Sequence, residues 1–594
     1  MRSILSHPWL HPGLLALWTV LGLGLRLLNL TEKPLWTDEF STLVFSLGNS
    51  FLSVPLNQVL TADQLLQPLQ VDPNAGIVSV VRHLLSQSNH PPLYFVLTHL
   101  WLKLFPTPDG WVSVWGARFL SVVFGTLSIP AAFMLGRFAF RSRIVGQIAA
   151  ALMAVSPFGI YLAQEARHYT LAMLWIMASL VCLIAAAHTI RDRAPLPLWI
   201  CSSWVIVNTL GIATHYLVML ALVAEAGVIA LMGLVQSWRE QGQWHPSSHW
   251  WRLVAVASGT GIGGLIWLPY LQDVQDSPLT EWIQFSNRSG WEWLAPIGQA
   301  IAAWISMLYL LPIQVPSQLV VTVSGIVLIL LTLWTVPKVY WGLRLQAKQR
   351  GLRIAILALV SFVVSAMLLF FAVTYFLQRD LTSALRYNFV YFPAVIVLVS
   401  GGLATMWTQV LAVPPKSKLP GWLSTLHTGT IRTVILIGLL SLLGGITVAY
   451  NWGYQKTHRP DVVVQDIVQR STGDVLVAIA HETHGQTGRL MGIAWELEQL
   501  NRSGKISNLQ IQPRFLLIDL RQGERSVVRV LRQFLKDGPR PLDLWLVNFQ
   551  DGLDEQADEL LDRQNCEPAM KREATDGYRY RLYRCVATVK AVNS

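Results

Sequence analysis

The chain has 594 residues, of which 53% are hydrophobic and only 13% charged, and its mean hydropathy is +0.44. These values lie outside the range of soluble globular chains and set the class as a multi-pass membrane protein. The formal net charge is +11, and +10 of it falls within the first 450 residues, where basic loops between spans account for it and a nucleic-acid surface does not.

Apolar runs of roughly 17–25 residues are long enough to cross about 30 Å of hydrocarbon as helices. Eleven stand near 12–30, 115–138, 144–163, 168–189, 197–214, 216–236, 252–270, 318–337, 353–376, 387–407 and 432–450. Two shorter runs, 91–105 and 297–313, read as helices at the interface, and counting both as spans gives thirteen. With the N-terminus inside, the inner loops hold Arg137/Arg141/Arg143, Arg191/Arg193, Arg239/Arg252, the dense set Lys338/Arg344/Lys348/Arg350/Arg353, and Lys416/Lys418/Arg432. The first run lacks a small-residue cleavage site and reads as a span, not a signal peptide.

Residues 1–450 thus form the membrane part, with a long first outer loop over 31–114, and 451–594 form a soluble tail. In the tail, Val475–Ala480, Phe515–Asp519 and Leu542–Phe549 read as buried strands, while 486–501, 524–536 and 553–564 read as helices with apolar residues at 3.6 spacing. The fold class is therefore an α-helical polytopic membrane protein with a small C-terminal α/β domain. An odd number of spans places that domain outside the cytoplasm, in the plasma (inner) membrane's extracytoplasmic space. There Cys566 and Cys585 are free to pair as a disulfide, whereas Cys182 and Cys201 lie in or near spans.

The polar clusters fall on that same side. Trp36-Thr37-Asp38-Glu39 opens the first outer loop and Asn89-His90-Pro91-Pro92-Leu93-Tyr94 comes late in it. Arg118 opens the second span, Gln164-Glu165-Ala166-Arg167-His168-Tyr169 forms the next outer turn, and His215-Tyr216, Arg379-Asp380 and Arg386-Tyr387 follow between later spans. Ionisable groups near a bilayer are costly, so their convergence carries more information than any one of them. A carboxylate is a competent general base for a hydroxyl or amine, and forked, permanently charged arginines suit a phosphate leaving group. No Walker or dinucleotide fingerprint is present, which counts against a cytosolic nucleotide-driven reaction. Together these features fit sugar transfer from a polyprenyl-phosphate carrier. A transporter or flippase of lipid-linked glycans is the alternative, but only Glu225 is an acid deep within a span and no internal repeat is evident.

The order of these motifs resembles the C-type membrane glycosyltransferases. It is most similar to the branch that contains the protein O-mannosyltransferases and the aminoarabinose transferase of lipid A. The resemblance runs over about residues 12–407 and rests on Trp-x-Asp-Glu, His-Pro-Pro-Leu-Tyr, Arg118, Gln-Glu-Ala-Arg-x-Tyr after Ser156-Pro157, and Arg386-Tyr387 before Pro393. It implies that Asp38 is the base that activates the acceptor and that Glu39 supports the site. The same pair would hold a divalent cation, Mg²⁺ or Mn²⁺, if one is used. His90, Arg167, Tyr169, Arg386 and Tyr387 become candidates for binding the donor phosphate, with Arg118, Glu165 and His215 in support. The implied partners are a polyprenyl-phosphate sugar donor, membrane lipids and an acceptor lipid, glycan or protein. Where the aminoarabinose branch carries a lysine before Pro-Pro this chain carries His90, so the sugar stays open. The histidines form no His-x-x-x-His face, so zinc is not indicated.

Overall fold

A computed structural model describes residues 9–239, 248–270, 277–285, 288–407, 430–452, 458–503, 512–549 and 551–586. Lys416 and Lys418 lie outside the described residues. The chain divides into two compact units, one made of 1–30, 88–94 and 115–455, the other of 31–87, 95–114 and 456–594. The long first loop, read from the sequence with the membrane part, shares its compact unit with the C-terminal segment.

In the first unit, helices stand at each of the eleven expected positions. Seven of them are long and apolar enough to cross a membrane: Leu10–Leu27, Val114–Phe140, Tyr169–Asp192, Val218–Trp238, Gln318–Gln346, Arg350–Phe376 and Ile431–Ala449. An eighth candidate is a bent pair, Arg143–Val155 and Pro157–Ala163, which meet at 57°. Leu198–Thr214 and Phe392–Trp407 are shorter apolar helices, and Ser248–Leu265 completes the set. The helices Leu93–Leu102 and Ala295–Ser306 have 10 and 12 residues, about 15–18 Å at 1.5 Å per residue, too short to span.

The bend has a definite cause. Pro157 has no N–H to return to the Met153 carbonyl, so the helix stops and restarts with Ser156 as its cap, its hydroxyl accepting from Gly159 N–H at 3.1 Å. The carbonyls exposed by the break are met by the fully buried Arg26 of the first span, which donates to Met153 O at 2.9 Å and to Ala154 O at 3.0 Å. Pre-positioned donors of this kind are what make a broken helix tolerable in hydrocarbon.

The second unit is built on a seven-stranded mixed sheet: β1 (Val59–Leu60), β2 (Asp474–His481), β3 (Arg514–Asp519), β4 (Leu542–Val547), β5 (Cys566–Pro568), β6 (Glu573–Thr575) and β7 (Tyr578–Cys585). Their order is β1-β3-β2-β4-β7-β5, with β6 also paired to β7. The three central strands β3, β2 and β4 are parallel and the outer pairings antiparallel. Alternate residues of β2 serve two cores: Leu476, Ala478 and Ala480 pack with helices Glu524–Asp537 and Asp551–Asp562, while Val475, Val477 and Ile479 are buried on the opposite face. Thus the three strands and three helices expected of the tail are present, and β5–β7 extend them. β1 comes from the first loop, where Asn57 also donates its N–H to Leu517 O at 2.8 Å and accepts from Asp519 N–H at 3.0 Å. Cys566 and Cys585 sit opposite each other on β5 and β7 and form a disulfide.

Candidate active site

In the membrane unit, Gln164 closes the second half of the broken helix, and residues 164–168 turn back before Tyr169 starts the next span. The turn is entirely buried, with Gln164 and His168 at 0% exposure and Arg167 at 1%. Several of its polar groups are used: Gln164 Nε2 donates to Leu28 O at 2.8 Å, and Ser121 Oγ donates to Arg167 O at 2.9 Å. Tyr94 reaches the same Ser121 hydroxyl at 2.8 Å. Arg118, also fully buried, donates to Leu30 O at 2.8 Å and so ties the second span to the end of the first.

Around the turn the expected residues converge. Arg167 Nη2 lies 3.0 Å from His90 Nε2. A guanidinium has no acceptor, so His90 Nε2 must be the unprotonated nitrogen, and its Nδ1–H faces Ser88 Oγ at 3.1 Å. His90 therefore orients the Arg167 guanidinium. The His168 ring lies 5.2 Å from His90 and 4.3 Å from His215, and Tyr169 lies 5.7 Å from His215. His215 meets Tyr387 at 6.4 Å, and Arg386 stacks over Trp282 and Tyr387 at 5.2 and 5.5 Å.

Burial, and then the basic groups around them, hold His168 and His215 well below the usual histidine range. For His168 those groups are His215, Arg167, His90 and Arg386; for His215 they are His90, Arg167 and Arg386. The result is two fixed guanidinium charges set among neutral imidazole rings, an environment that favours an anion of phosphate type. Tyr169 serves as a packed wall, with Arg167 over its ring at 5.7 Å. Glu165 is buried at 3% exposure in the turn. Asp380 is committed elsewhere: it holds Arg288 at 3.0 Å and accepts from Thr382 N–H at 3.0 Å.

The acid pair belongs to the second unit. Asp38 and Glu39 lie in the first turn of helix Thr37–Ser46, capped by extended Trp36 with no side-chain cap, so neither Thr37 nor Asp38 serves as the helix cap. Asp38 is half-buried and Glu39 fully buried, as expected of neighbours about 100° apart on a helix. The C-terminal segment surrounds this helix. Thr37 Oγ1 bonds His458 Nδ1 at 3.0 Å, and His458 lies edge-on to Trp36. His484 stacks on Phe51 at 5.0 Å and meets Phe45 at 5.9 Å. Its burial pulls its proton affinity down to about 4, although the Asp38 charge pulls the other way. Gly488 packs closely on this helix, since a Cβ there would come within 3.1 Å of Thr37 Cγ2.

Among the described residues no group of three or more His, Cys, Asp or Glu is arranged to hold a metal ion. Among those residues the Asp38–Glu39 pair thus has no third His, Cys, Asp or Glu placed to complete a dedicated cage. His168, Ser121, Trp282, His458 and His484 are additions to the set read from the sequence. His168 was signalled by its place in the Gln164–Tyr169 motif; the two tail histidines had no local signal.

Residues 89–261 match the model of the dolichyl-phosphate-mannose-protein mannosyltransferase family. The chain resembles the C-type membrane glycosyltransferases. The matched segment contains His90, Arg118, Glu165, Arg167, Tyr169 and His215. No curated protein matches the chain. Among solved structures, ArnT from Cupriavidus metallidurans bound to undecaprenyl phosphate is similar with a TM-score of 0.49 and 15% identity, covering 97% of this chain and 98% of that one. The Archaeoglobus fulgidus oligosaccharyltransferase in its apo form gives 0.40 and 13%, covering 82% and 64%. The arabinofuranosyltransferase AftD from Mycobacteria gives 0.36 and 12%, covering 92% and 41%.

Proposed function

We propose that the chain transfers a sugar from a polyprenyl-phosphate donor to a lipid, glycan or protein acceptor at the extracytoplasmic face of the plasma (inner) membrane. The observation that carries this reading is the buried Arg167 guanidinium bonded to His90 beside His168, His215 and Arg386, all but Arg386 within the segment 89–261 that matches a mannosyltransferase family. A buried guanidinium oriented by a neutral imidazole is suited to a phosphate at the membrane boundary.

In the proposed reaction the acceptor hydroxyl or amine attacks the anomeric carbon as its proton passes to Asp38. The bond from that carbon to the phosphate oxygen breaks and leaves its electron pair on the polyprenyl phosphate. Arg167 and Arg386 stabilise the charge that develops there, the electrostatic contribution that is usually largest in catalysis. Glu39, buried beneath Asp38 in the same helical turn, supports the base.

Mass analysis of lipids that copurify with the chain tests the donor assignment. Polyprenyl phosphate or its glycosylated form is expected with the parent protein and strongly depleted with Arg167→Ala. Equal recovery from both proteins would overturn the role of Arg167.

A further inference from the structure

Away from the histidine–arginine cluster, the membrane unit holds an apolar cavity of about 600 Å³ between helices Leu198–Thr214, Val218–Arg239 and Ser248–Leu265. Its size is that of a small-molecule or lipid site. Leu222, Val254, Ala257 and Leu268 form much of its wall, and Val254 and Leu268 are 49% and 47% exposed, so the cavity is open to the surface of the unit.

The floor is polar. Glu225, 2% exposed, lines it together with Asn208, Trp204 and Thr260. Ser179 Oγ lies 2.7 Å from Glu225 Oε2 and 2.9 Å from Asn208 Oδ1, and accepts from Trp204 Nε1–H at 2.8 Å. Asn208 Nδ2 in turn donates to Thr260 Oγ1 at 3.1 Å. This network ties four helices together, a known use of polar residues in membranes. Helix adhesion, however, does not account for the other carboxyl oxygen: Glu225 Oε1 is buried and has no hydrogen-bond partner among the described residues. An unmet acceptor in such a medium is expensive, and an ionisable residue inside a span commonly marks a functional site.

We propose that this cavity is a second lipid site, which takes one amphipathic lipid bearing a hydroxyl or amide donor and bonds that donor through Glu225 Oε1. The apolar wall covers the hydrocarbon body and the carboxyl selects the polar group. A purely hydrocarbon prenyl chain would fill the space and leave Oε1 unmet. The site is independent of the sugar-transfer reading, because its occupancy is measured without donor or acceptor.

The full chain in phosphatidylcholine vesicles is photolabelled with a diazirine-bearing long-chain alcohol or with its methyl ether, which keeps the body and removes the donor. The alcohol is expected to label the cavity-wall peptides several-fold more than the ether, on the order of fivefold for one hydrogen bond. Glu225→Leu should lower the alcohol to the level of the ether, and Glu225→Gln, whose carbonyl still accepts, should preserve the preference. Equal labelling by the two probes, or a preference unchanged in Glu225→Leu, would overturn the proposal. Should Glu225→Leu fail to fold, Ala257→Trp, which fills the cavity and leaves the polar network in place, must abolish labelling by the alcohol; persistent labelling there would also overturn it.

Discussion

In the proposed mechanism single residues carry the chemistry, and their environments set what each change should do. If Asp38 takes the acceptor proton, Asp38→Asn keeps the shape and removes basicity, and turnover should fall by about 10²–10⁴-fold while donor binding survives. A steady-state assay beside a lipid-binding assay separates the two, and parental turnover in Asp38→Asn would remove Asp38 from the mechanism. Arg167→Ala has the opposite emphasis. Loss of a buried, His90-oriented guanidinium should weaken donor capture by about 2–5 kcal/mol, read as a rise in the donor concentration for half-saturation; an unchanged value would contradict the assignment. Arg167, His90 and Tyr169 were legible in the sequence because each lies in a short motif at the end of an apolar run. Arg26 was not, because the carbonyls it serves exist only after Pro157 breaks a helix far along the chain. From the sequence alone, an arginine near the end of a span reads as an interfacial anchor.

At the scale of elements, the helix of Asp38 and Glu39 is held by residues of the C-terminal segment, which makes two predictions. Gly488→Val drives a side chain into Thr37, and activity should drop together with thermal stability by roughly 1–3 kcal/mol; an unaffected melting temperature would show that the helix has room. The second prediction concerns pH. Burial holds His481 and His484 at about 4, against 6.5 for a free histidine. The unfolded chain therefore takes up protons first as pH falls. The stability of the neutral rings is complete above about pH 6.5 and drains by about 1.4 kcal/mol per unit and per ring down to about pH 4. Hydrogen-exchange protection factors of residues 458–503 in the full-length protein, corrected for the intrinsic pH dependence of amide exchange, should fall between pH 7 and pH 5, and protection that stays constant would argue against buried neutral rings. The strands β2, β3 and β4 were legible as apolar runs bounded by polar turns. β1 was not, because two residues in a loop become a strand only when β3 is there to pair with them.

For the whole molecule, hydrophobic run length placed the long helices of the membrane unit among the described residues, since crossing hydrocarbon leaves the backbone few options. It did not reveal that the first loop folds with the tail, because that grouping depends on pairings between distant segments, such as Asn57 with Asp519 and Trp111 with Trp495. The basic loops predict that a reporter fused after residue 346 reads cytoplasmic and one after 470 extracytoplasmic; a cytoplasmic reading at 470 would separate the tail from the proposed compartment. The most direct test of sugar transfer itself is mass analysis of membrane lipids and envelope glycans from cells carrying the parent gene, no gene, or Asp38→Asn. The predicted result is an envelope component lighter by one sugar, with its polyprenyl-phosphate donor accumulating, in both deficient strains. Identical lipid and glycan masses in all three would contradict it.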